Sequence, residues 1–96
     1  MDPIARAAKI KEALFVRGLT FADIDRAYEL PEGTARSVWR HPHAAGETAI
    51  AAALAYEPHE LWPERYDAGG QRLEPQPREN YRRPPSMRQR RNDRAA

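Results

Sequence analysis

Cysteine is absent from this chain of 96 residues, and so is any long run of apolar residues. The first absence excludes disulfide bonds, a thiol nucleophile and any zinc or iron–sulfur site that needs cysteine ligands. The second excludes a membrane-spanning helix, which requires about 18 to 20 consecutive apolar residues. Charged residues interrupt the N-terminus, which is not typical of a signal peptide, so we expect a cytoplasmic protein.

Large apolar residues are also scarce. Apolar residues make up 41% of the chain, but 17 of them are alanine, so the core that they can build is thin. A small domain of this kind has little room for a long catalytic cleft. The sequence also contains no glycine-rich phosphate-binding loop. These features predict a single small domain that is not an enzyme and that needs no cofactor.

The charged residues are distributed unevenly along the chain. Residues 1–67 contain 8 basic and 11 acidic side chains, a balance of −3, whereas residues 68–96 contain 8 arginines and 3 acids, a balance of +5. The second segment also has 4 prolines and only 3 large apolar residues, too few to offset its chain entropy by burial. We therefore predict a globular domain over residues 1–67 and a disordered basic tail over residues 68–96, with Gly69-Gly70 as a linker.

Capping and turn residues divide the first 67 residues into about five short helices. Asp2 and Thr20 are predicted N-caps, the second with Asp23 three residues later, and Gly18 is a predicted helix stop. The remaining helices are predicted over residues 34–40 and 47–56 and from residue 58. No alternating run of β-branched residues occurs, so the predicted fold class is all-α, a compact helical bundle.

The second and third predicted helices have the lengths and the short connection of a helix-turn-helix. Apolar residues fall where this motif buries side chains, at Ile24, Tyr28, Leu30, Ala35 and Val38. In the motif, the second helix lies in the major groove of DNA. The pattern alone is also compatible with any three-helix bundle.

The outward residues of the second helix are candidates for reading DNA. They are Thr34, Arg36, Ser37 and Arg40. Arginine can form two hydrogen bonds to guanine, and serine and threonine can contact bases or phosphates. A solvated helix face with an arginine pair remains the alternative interpretation of these positions.

Three stretches have a more specific pattern: Ala13-Leu14, Arg17-Gly18-Leu19-Thr20 and the run IAAALAYEPHELWPERY from Ile50 to Tyr66. Through them, residues from about 8 to 67 resemble the Ner/Nlp family of small DNA-binding regulators from bacteria and Mu-like phages. The resemblance implies a λ-repressor-like helical domain and transcriptional regulation through operator binding. It also matches Thr34, Arg36, Ser37 and Arg40 to the recognition helix of that family, and it implies a structural role for Arg65 and Tyr66.

Two positions depart from the usual motif. Asp25 stands where the two helices pack closest and where alanine is typical, and Glu29 stands where glycine is common in the turn. With Asp23, we interpret them as surface charge, which places acid beside a surface meant to face phosphate. This leaves open a second function, an interaction module of the same fold that contacts RNA polymerase or another regulator. Two copies of the chain on one pseudo-palindromic DNA site also remain possible.

The basic tail has three interpretations. It can add phosphate contacts that do not depend on DNA sequence, it can act only as a solubilising end, or it can fold on an acidic protein surface. The first interpretation assigns phosphate contacts to Arg82, Arg83, Arg88, Arg90 and Arg91. His41 and His43 flank a proline but have no third ligand nearby in the sequence, so we predict a turn or a phosphate contact there and no metal.

Overall fold

The computed structural model of the chain describes residues 2–82. Within this range the helices are α1 (Pro3–Val16), α2 (Phe21–Ala27), α3 (Thr34–Ser37), α4 (Ala44–Ala53) and α5 (Pro58–Leu61). Two single turns of 3-10 helix follow, over Pro63–Arg65 and Arg78–Asn80, and no β-strand occurs among the described residues beyond one isolated bridge. The predicted all-α fold with about five short helices is confirmed.

The first two helices begin at the predicted capping residues. The Asp2 carboxylate accepts a hydrogen bond from the first turn of α1, and Pro3 occupies its first position. Gly18, with φ of +75°, follows the end of that helix. Thr20 and Asp23 form a capping box, in which each side chain accepts a hydrogen bond from the other residue's backbone N–H, at 3.1 and 2.8 Å. These bonds satisfy donors that the start of a helix leaves without partners.

The third and fourth helices differ from their predicted bounds. The sequence predicts that α3 reaches Arg40, but its regular part ends at Ser37 and continues as a turn. The sequence predicts that α4 starts at Glu47, whereas it starts three residues earlier because His43 acts as its N-cap. The imidazole Nδ1 accepts a hydrogen bond from the first turn at 2.9 Å. Histidine is not among the usual N-cap residues, so the sequence carries no clear signal for this start.

The core lies where α1, α2, α3 and α4 meet the Trp62 indole, which is 1% exposed. Its buried members are Ile10, Leu14, Ile24, Ala35, Val38, Ala49, Ile50, Leu54 and Trp62. The prediction that Tyr28 faces this core is wrong, because α2 ends at Ala27 and the ring of Tyr28 is 43% exposed. No helix in the described part of the chain is long and apolar enough to cross a bilayer.

Residues 68–82, which the composition predicts to be part of a disordered tail, are ordered on the surface of the helical domain. Gly69-Gly70 is the tip of a tight turn: Asp67 N–H donates to the Gln71 carbonyl at 2.8 Å, and Tyr66 and Arg72 form an antiparallel bridge. Residues 72–82, which we call the strap, then run back across the domain. Hydrogen bonds of the backbone and of side-chain amides hold this segment, and a count of apolar residues does not detect such bonds.

The rest of the predicted tail, residues 83–96, lies outside the described residues, and so do four of the predicted phosphate contacts. These four are Arg83, Arg88, Arg90 and Arg91.

Candidate nucleic-acid interface

The turn between α2 and α3 is built by backbone hydrogen bonds around Glu29. This residue has φ of +55°, the left-handed conformation that the more common glycine adopts readily at such a position. Leu30 N–H donates to the Asp25 carbonyl at 2.8 Å, and Glu29 N–H donates to the Arg26 carbonyl at 3.4 Å. Together these two bonds form a Schellman motif that ends α2 and directs the chain towards α3.

Asp25 holds the start of α3, and the prediction that it is surface charge is wrong. Its side chain is buried, with 5% of the residue exposed. One carboxylate oxygen accepts the Gly33 N–H and the other accepts the Ala35 N–H, both at 2.9 Å. A carboxylate suits this place because the N-terminal turn of a helix leaves N–H donors without partners. The acid at the position where alanine is usual thus fixes α3 against α2.

A buried polar cluster holds the other end of α3. The Arg65 guanidinium, 1% exposed, donates through Nη2 to the carbonyl oxygens of Val38 and Trp39, at 2.7 and 3.3 Å. Its Nη1 donates to the carboxylate of Glu47, which is 0% exposed, at 3.0 Å. The Tyr66 hydroxyl donates to the other oxygen of that carboxylate at 2.7 Å. The structural role of Arg65 and Tyr66 is therefore confirmed.

Burial governs the ionisation of this cluster. Desolvation lowers the pKa of Arg65, and the neighbouring Glu47 carboxylate counteracts part of that shift. Burial, together with the hydrogen bond that its hydroxyl donates to Glu47, raises the pKa of Tyr66 well above its ordinary value. The ordinary pKa of arginine lies so far above 7 that Arg65 stays charged in spite of its lowered pKa, and the raised pKa of Tyr66 keeps its hydroxyl neutral, so neither group changes its ionisation near neutrality.

Close packing between α4 and the end of α3 depends on a glycine. A Cβ atom built on Gly46 would lie 2.6 Å from Cγ2 of Val38 and 3.4 Å from Cγ2 of Thr34. Real Cβ atoms essentially never approach another atom to 2.6 Å, so only glycine fits here without a shift. Three contacts therefore fix α3: Asp25 at its start, Arg65 at its end, and Gly46 along its side.

The four predicted recognition residues have different environments. Arg36 is exposed, and Arg40 is partly buried. Thr34 and Ser37 are also partly buried, and the Ser37 hydroxyl donates to the Thr34 carbonyl at 3.0 Å. Because Ala35 and Val38 face the core, the outward surface of α3 and of the turn that continues it consists of Arg36, Ser37 and Arg40, with Thr34 at its edge beside α4.

The arginines of the described residues form two groups. Those in ion pairs are Arg6, Arg26, Arg65 and Arg72. Those without an ion pair within residues 2–82 are Arg17, Arg36, Arg40, Arg78 and Arg82. Three of the second group occur at one place, because Arg82 N–H donates to the Arg40 carbonyl at 2.6 Å and Arg36 lies one helical turn before Arg40. The α3 region and the end of the strap thus contribute three arginines without ion pairs in the described part of the chain, and the backbones of Arg40 and Arg82 are in direct contact.

The remaining predictions near α3 have mixed outcomes. Glu29 is exposed, as predicted, and Glu32 in the same turn is also exposed. His43 caps α4, while the ring centroid of His41 lies 6.4 Å from that of Tyr81 on the strap. Within residues 2–82, no three histidine, aspartate or glutamate side chains come together in a way that could hold a metal ion.

Sequence reasoning missed three of the residues that build this site. Asp25 has partners 8 and 10 residues away, and Glu47 has partners 18 and 19 residues away. Asn80 of the strap, buried at 8% exposure, bonds to the Glu64 carbonyl 16 residues away. An acid or an amide at such positions looks the same in sequence whether it is buried or solvated. The resemblance at Arg65 and Tyr66 was the only feature of the sequence that pointed to a structural cluster near α3.

Comparison with known proteins adds a family to this geometry. A family described as winged helix-turn-helix DNA-binding matches residues 6–78, which include most of α1, all of α2 to α5 and most of the strap. No curated protein and no solved structure matches the chain. The family match extends beyond residue 67, in agreement with the ordered turn at Gly69-Gly70 and the strap.

Proposed function

The chain belongs to the winged helix-turn-helix DNA-binding family, and from this we propose that it is a transcription regulator that reads DNA sequence with α3 in the major groove. The observation that carries the proposal is the group of arginines at the outward surface of α3, which form no ion pair within the described residues. Four other arginines of the domain, Arg6, Arg26, Arg65 and Arg72, are paired with acids, whereas Arg36 and Arg40 lie together at this surface without such partners among residues 2–82 and can attract a polyanion there.

Within this function, Arg36 and Arg40 bind base edges, with guanine as the preferred partner of each. Ser37 and Thr34 make the smaller contacts of the same face, to bases or to phosphates. The rigid support of α3 by Asp25 and by Arg65 matters because base readout requires side chains at fixed positions in the groove.

The finer assignment follows the resemblance to the Ner/Nlp family. We propose a λ-repressor-like regulator that binds an operator, by itself or as two copies on a pseudo-palindromic site. Such a protein acts by occupying DNA rather than by catalysis, and it works at the nucleoid in the cytoplasm. In this proposal the basic segment after residue 82 adds phosphate contacts that do not depend on sequence.

Selection from a random double-stranded DNA library tests the proposal. The wild-type chain should enrich one motif, and the Arg36→Ala and Arg40→Ala variants should each lose preference at one base position of it. A bidentate contact contributes about 1–3 kcal/mol of discrimination, which corresponds to roughly 5- to 150-fold at that position. Lys11→Ala is the matched control, because it removes one positive charge from an exposed site on α1.

Two results would contradict this assignment. Either the wild-type chain enriches no motif, or both arginine variants retain the wild-type motif and affinity while Lys11→Ala behaves as they do. The first result removes sequence-specific binding altogether. The second removes α3 as the reading element.

A protein-interaction module of the same fold is the second candidate function. Its remaining support is the exposed pair Glu29 and Glu32 in the turn between α2 and α3, since Asp25 is buried. Retention of RNA polymerase by the tagged chain from a nuclease-treated lysate, with loss of retention in a variant carrying both Glu29→Gln and Glu32→Gln, would favour this function. Loss of polymerase on nuclease treatment alone would favour DNA as the bridge.

A further inference from the structure

The strap connects the turn at residue 71 to the end of α3. It starts beside Arg65, whose carbonyl oxygen accepts hydrogen bonds from Leu73 N–H at 3.0 Å and from the Gln76 side-chain amide at 2.9 Å. The same amide of Gln76 also donates to the Leu73 carbonyl at 2.9 Å. The strap is therefore attached to the residue that also holds α3.

Asn80 is the second attachment of the strap. It is 8% exposed, and its side-chain amide donates to the Glu64 carbonyl at 3.1 Å and to the Gln76 side-chain oxygen at 2.9 Å. Both N–H donors of the amide are thus used by partners within the fold. An asparagine buried in this way sets the direction in which the following residues leave the domain.

The following residues lie against the end of α3. The Tyr81 ring lies near His41, and Arg82 N–H donates to the Arg40 carbonyl at 2.6 Å. The Arg82 side chain is exposed and forms no ion pair within residues 2–82. Arg82 is consequently placed beside Arg40 by contacts of the strap, although 42 positions separate the two residues in the sequence.

We propose that the strap is part of the DNA-contacting surface and that Asn80 is a positioning residue, which fixes Arg82 beside Arg40 so that its guanidinium binds a phosphate flanking the bases read by α3. This inference rests on the proposed function. It assigns the contact surface to two segments of the chain, the α3 region and the end of the strap. It also gives a role to a buried amide that touches no DNA itself.

The test is a double-mutant cycle on the DNA motif selected by the wild-type chain. Affinities are measured at 50 and 200 mM salt for Arg82→Ala, Asn80→Ala and the double variant. One phosphate contact changes the log–log salt slope by about 0.9, so the affinity ratio of wild type to Arg82→Ala should shrink about threefold between the two salt concentrations. Lys11→Ala and Gln71→Ala, at exposed positions away from the strap contacts, are controls for charge and for amide removal.

We expect Arg82→Ala to cause no further loss of DNA affinity in a chain in which Asn80 is already replaced by alanine. Amide hydrogen exchange gives a second readout: the Arg82 N–H should be protected in the wild-type chain and should lose protection in folded Asn80→Ala. Should Asn80→Ala lose its helical circular dichroism, Gln76→Ala takes its place in the cycle, because it removes the neighbouring attachment of the strap.

Three outcomes would overturn the proposal. In the first, Arg82→Ala weakens DNA binding by the same factor in the wild-type chain and in Asn80→Ala. In the second, Asn80→Ala, or Gln76→Ala in its place, binds DNA like the wild-type chain, and in the third, Lys11→Ala has the same salt dependence as Arg82→Ala. If Arg40→Ala still loses the preference at its base position in these cases, the proposed function stands and only the strap inference fails. A wild-type chain that selects no DNA motif overturns both.

Discussion

Replacing Asp25 by alanine removes both acceptors that hold the start of α3. The Gly33 and Ala35 N–H groups each donate to this carboxylate at 2.9 Å, and the residue is 5% exposed, so water has little access to replace it. Asparagine at the same position keeps one oxygen and presents an NH2 group to the second donor. The alanine variant therefore removes two hydrogen bonds and the asparagine variant removes one. The asparagine side chain also has nearly the same volume as that of aspartate.

The magnitude follows from the number of donors left without a partner. A buried donor that loses its acceptor costs about 1–3 kcal/mol. The Ala35 N–H is buried and carries this cost in full, whereas the Gly33 N–H is partly buried and its hydrogen bond contributes about 0.5–1.5 kcal/mol. Asp25→Ala should therefore be unfavourable by about 1.5–4.5 kcal/mol, and Asp25→Asn, which keeps one acceptor, by the share of a single donor. Small domains are stable by about 5–15 kcal/mol in total, so the alanine variant should lose much of its stability.

Urea unfolding followed by helical circular dichroism at pH 7 measures these losses. Glu32→Ala is the matched control, because it removes an exposed acid from the same turn and should change stability by less than about 0.5 kcal/mol. DNA binding gives an independent check: Asp25→Ala should weaken binding by releasing α3. Equal urea midpoints for Asp25→Ala and Glu32→Ala, or tighter DNA binding by Asp25→Ala, would refute the reasoning and return Asp25 to the class of surface charges.

Three further predictions concern the contacts around α3. Gly46→Ala should destabilise the domain by about 1–3 kcal/mol, because its Cβ would lie 2.6 Å from a Val38 methyl, and a urea midpoint equal to wild type would contradict this. Glu29→Gly should raise the unfolding midpoint by relieving a φ of +55°, a gain of about 1 kcal/mol that thermal unfolding can detect and that an unchanged midpoint would disprove. Stability should fall as the pH rises above about 10, because tyrosine in the unfolded chain ionises there while the raised pKa of Tyr66 keeps it neutral in the fold. Tyr66→Phe should flatten that fall in a series of urea titrations, and an identical fall in both proteins would show that Tyr66 is not its source.

Local interactions were predictable from the sequence because their partners are close along the chain. The Thr20–Asp23 capping box, the cap at Asp2 and the glycine stop at Gly18 each involve residues within three positions of a helix end. Their chemistry is specific, since few residue types can satisfy the donors at a helix start or adopt a positive φ at its end. The all-α class and the helix-turn-helix followed from these signals.

Contacts over longer distances were not predictable, because burial is a property of the assembled fold. Asp25 in the sequence is an acid at an unusual position, and only the fold shows that it lies inside and accepts two N–H groups. Glu47 lies in an alanine-rich helix, where a solvated acid would look the same. Composition likewise suggested that the chain unfolds after residue 67, although Gln76 and Asn80 attach the following segment through amide hydrogen bonds.

The ordered strap changes the boundary between the acidic domain and the basic end of the chain. Residues 2–82 carry 11 basic and 13 acidic side chains, a balance of −2, and residues 83–96 carry 5 arginines and 1 acid, a balance of +4. The net charge of the domain does not indicate how strongly the α3 surface attracts DNA. Glu47 forms ion pairs inside the domain, whereas Arg36 and Arg40 form none within the described residues. A deletion from residue 68 would remove Arg72, which contacts Glu47 at 3.5 Å, together with the strap. To measure the contribution of the basic end alone, the chain must therefore be cut after Arg82, where the attachment to Arg40 is kept.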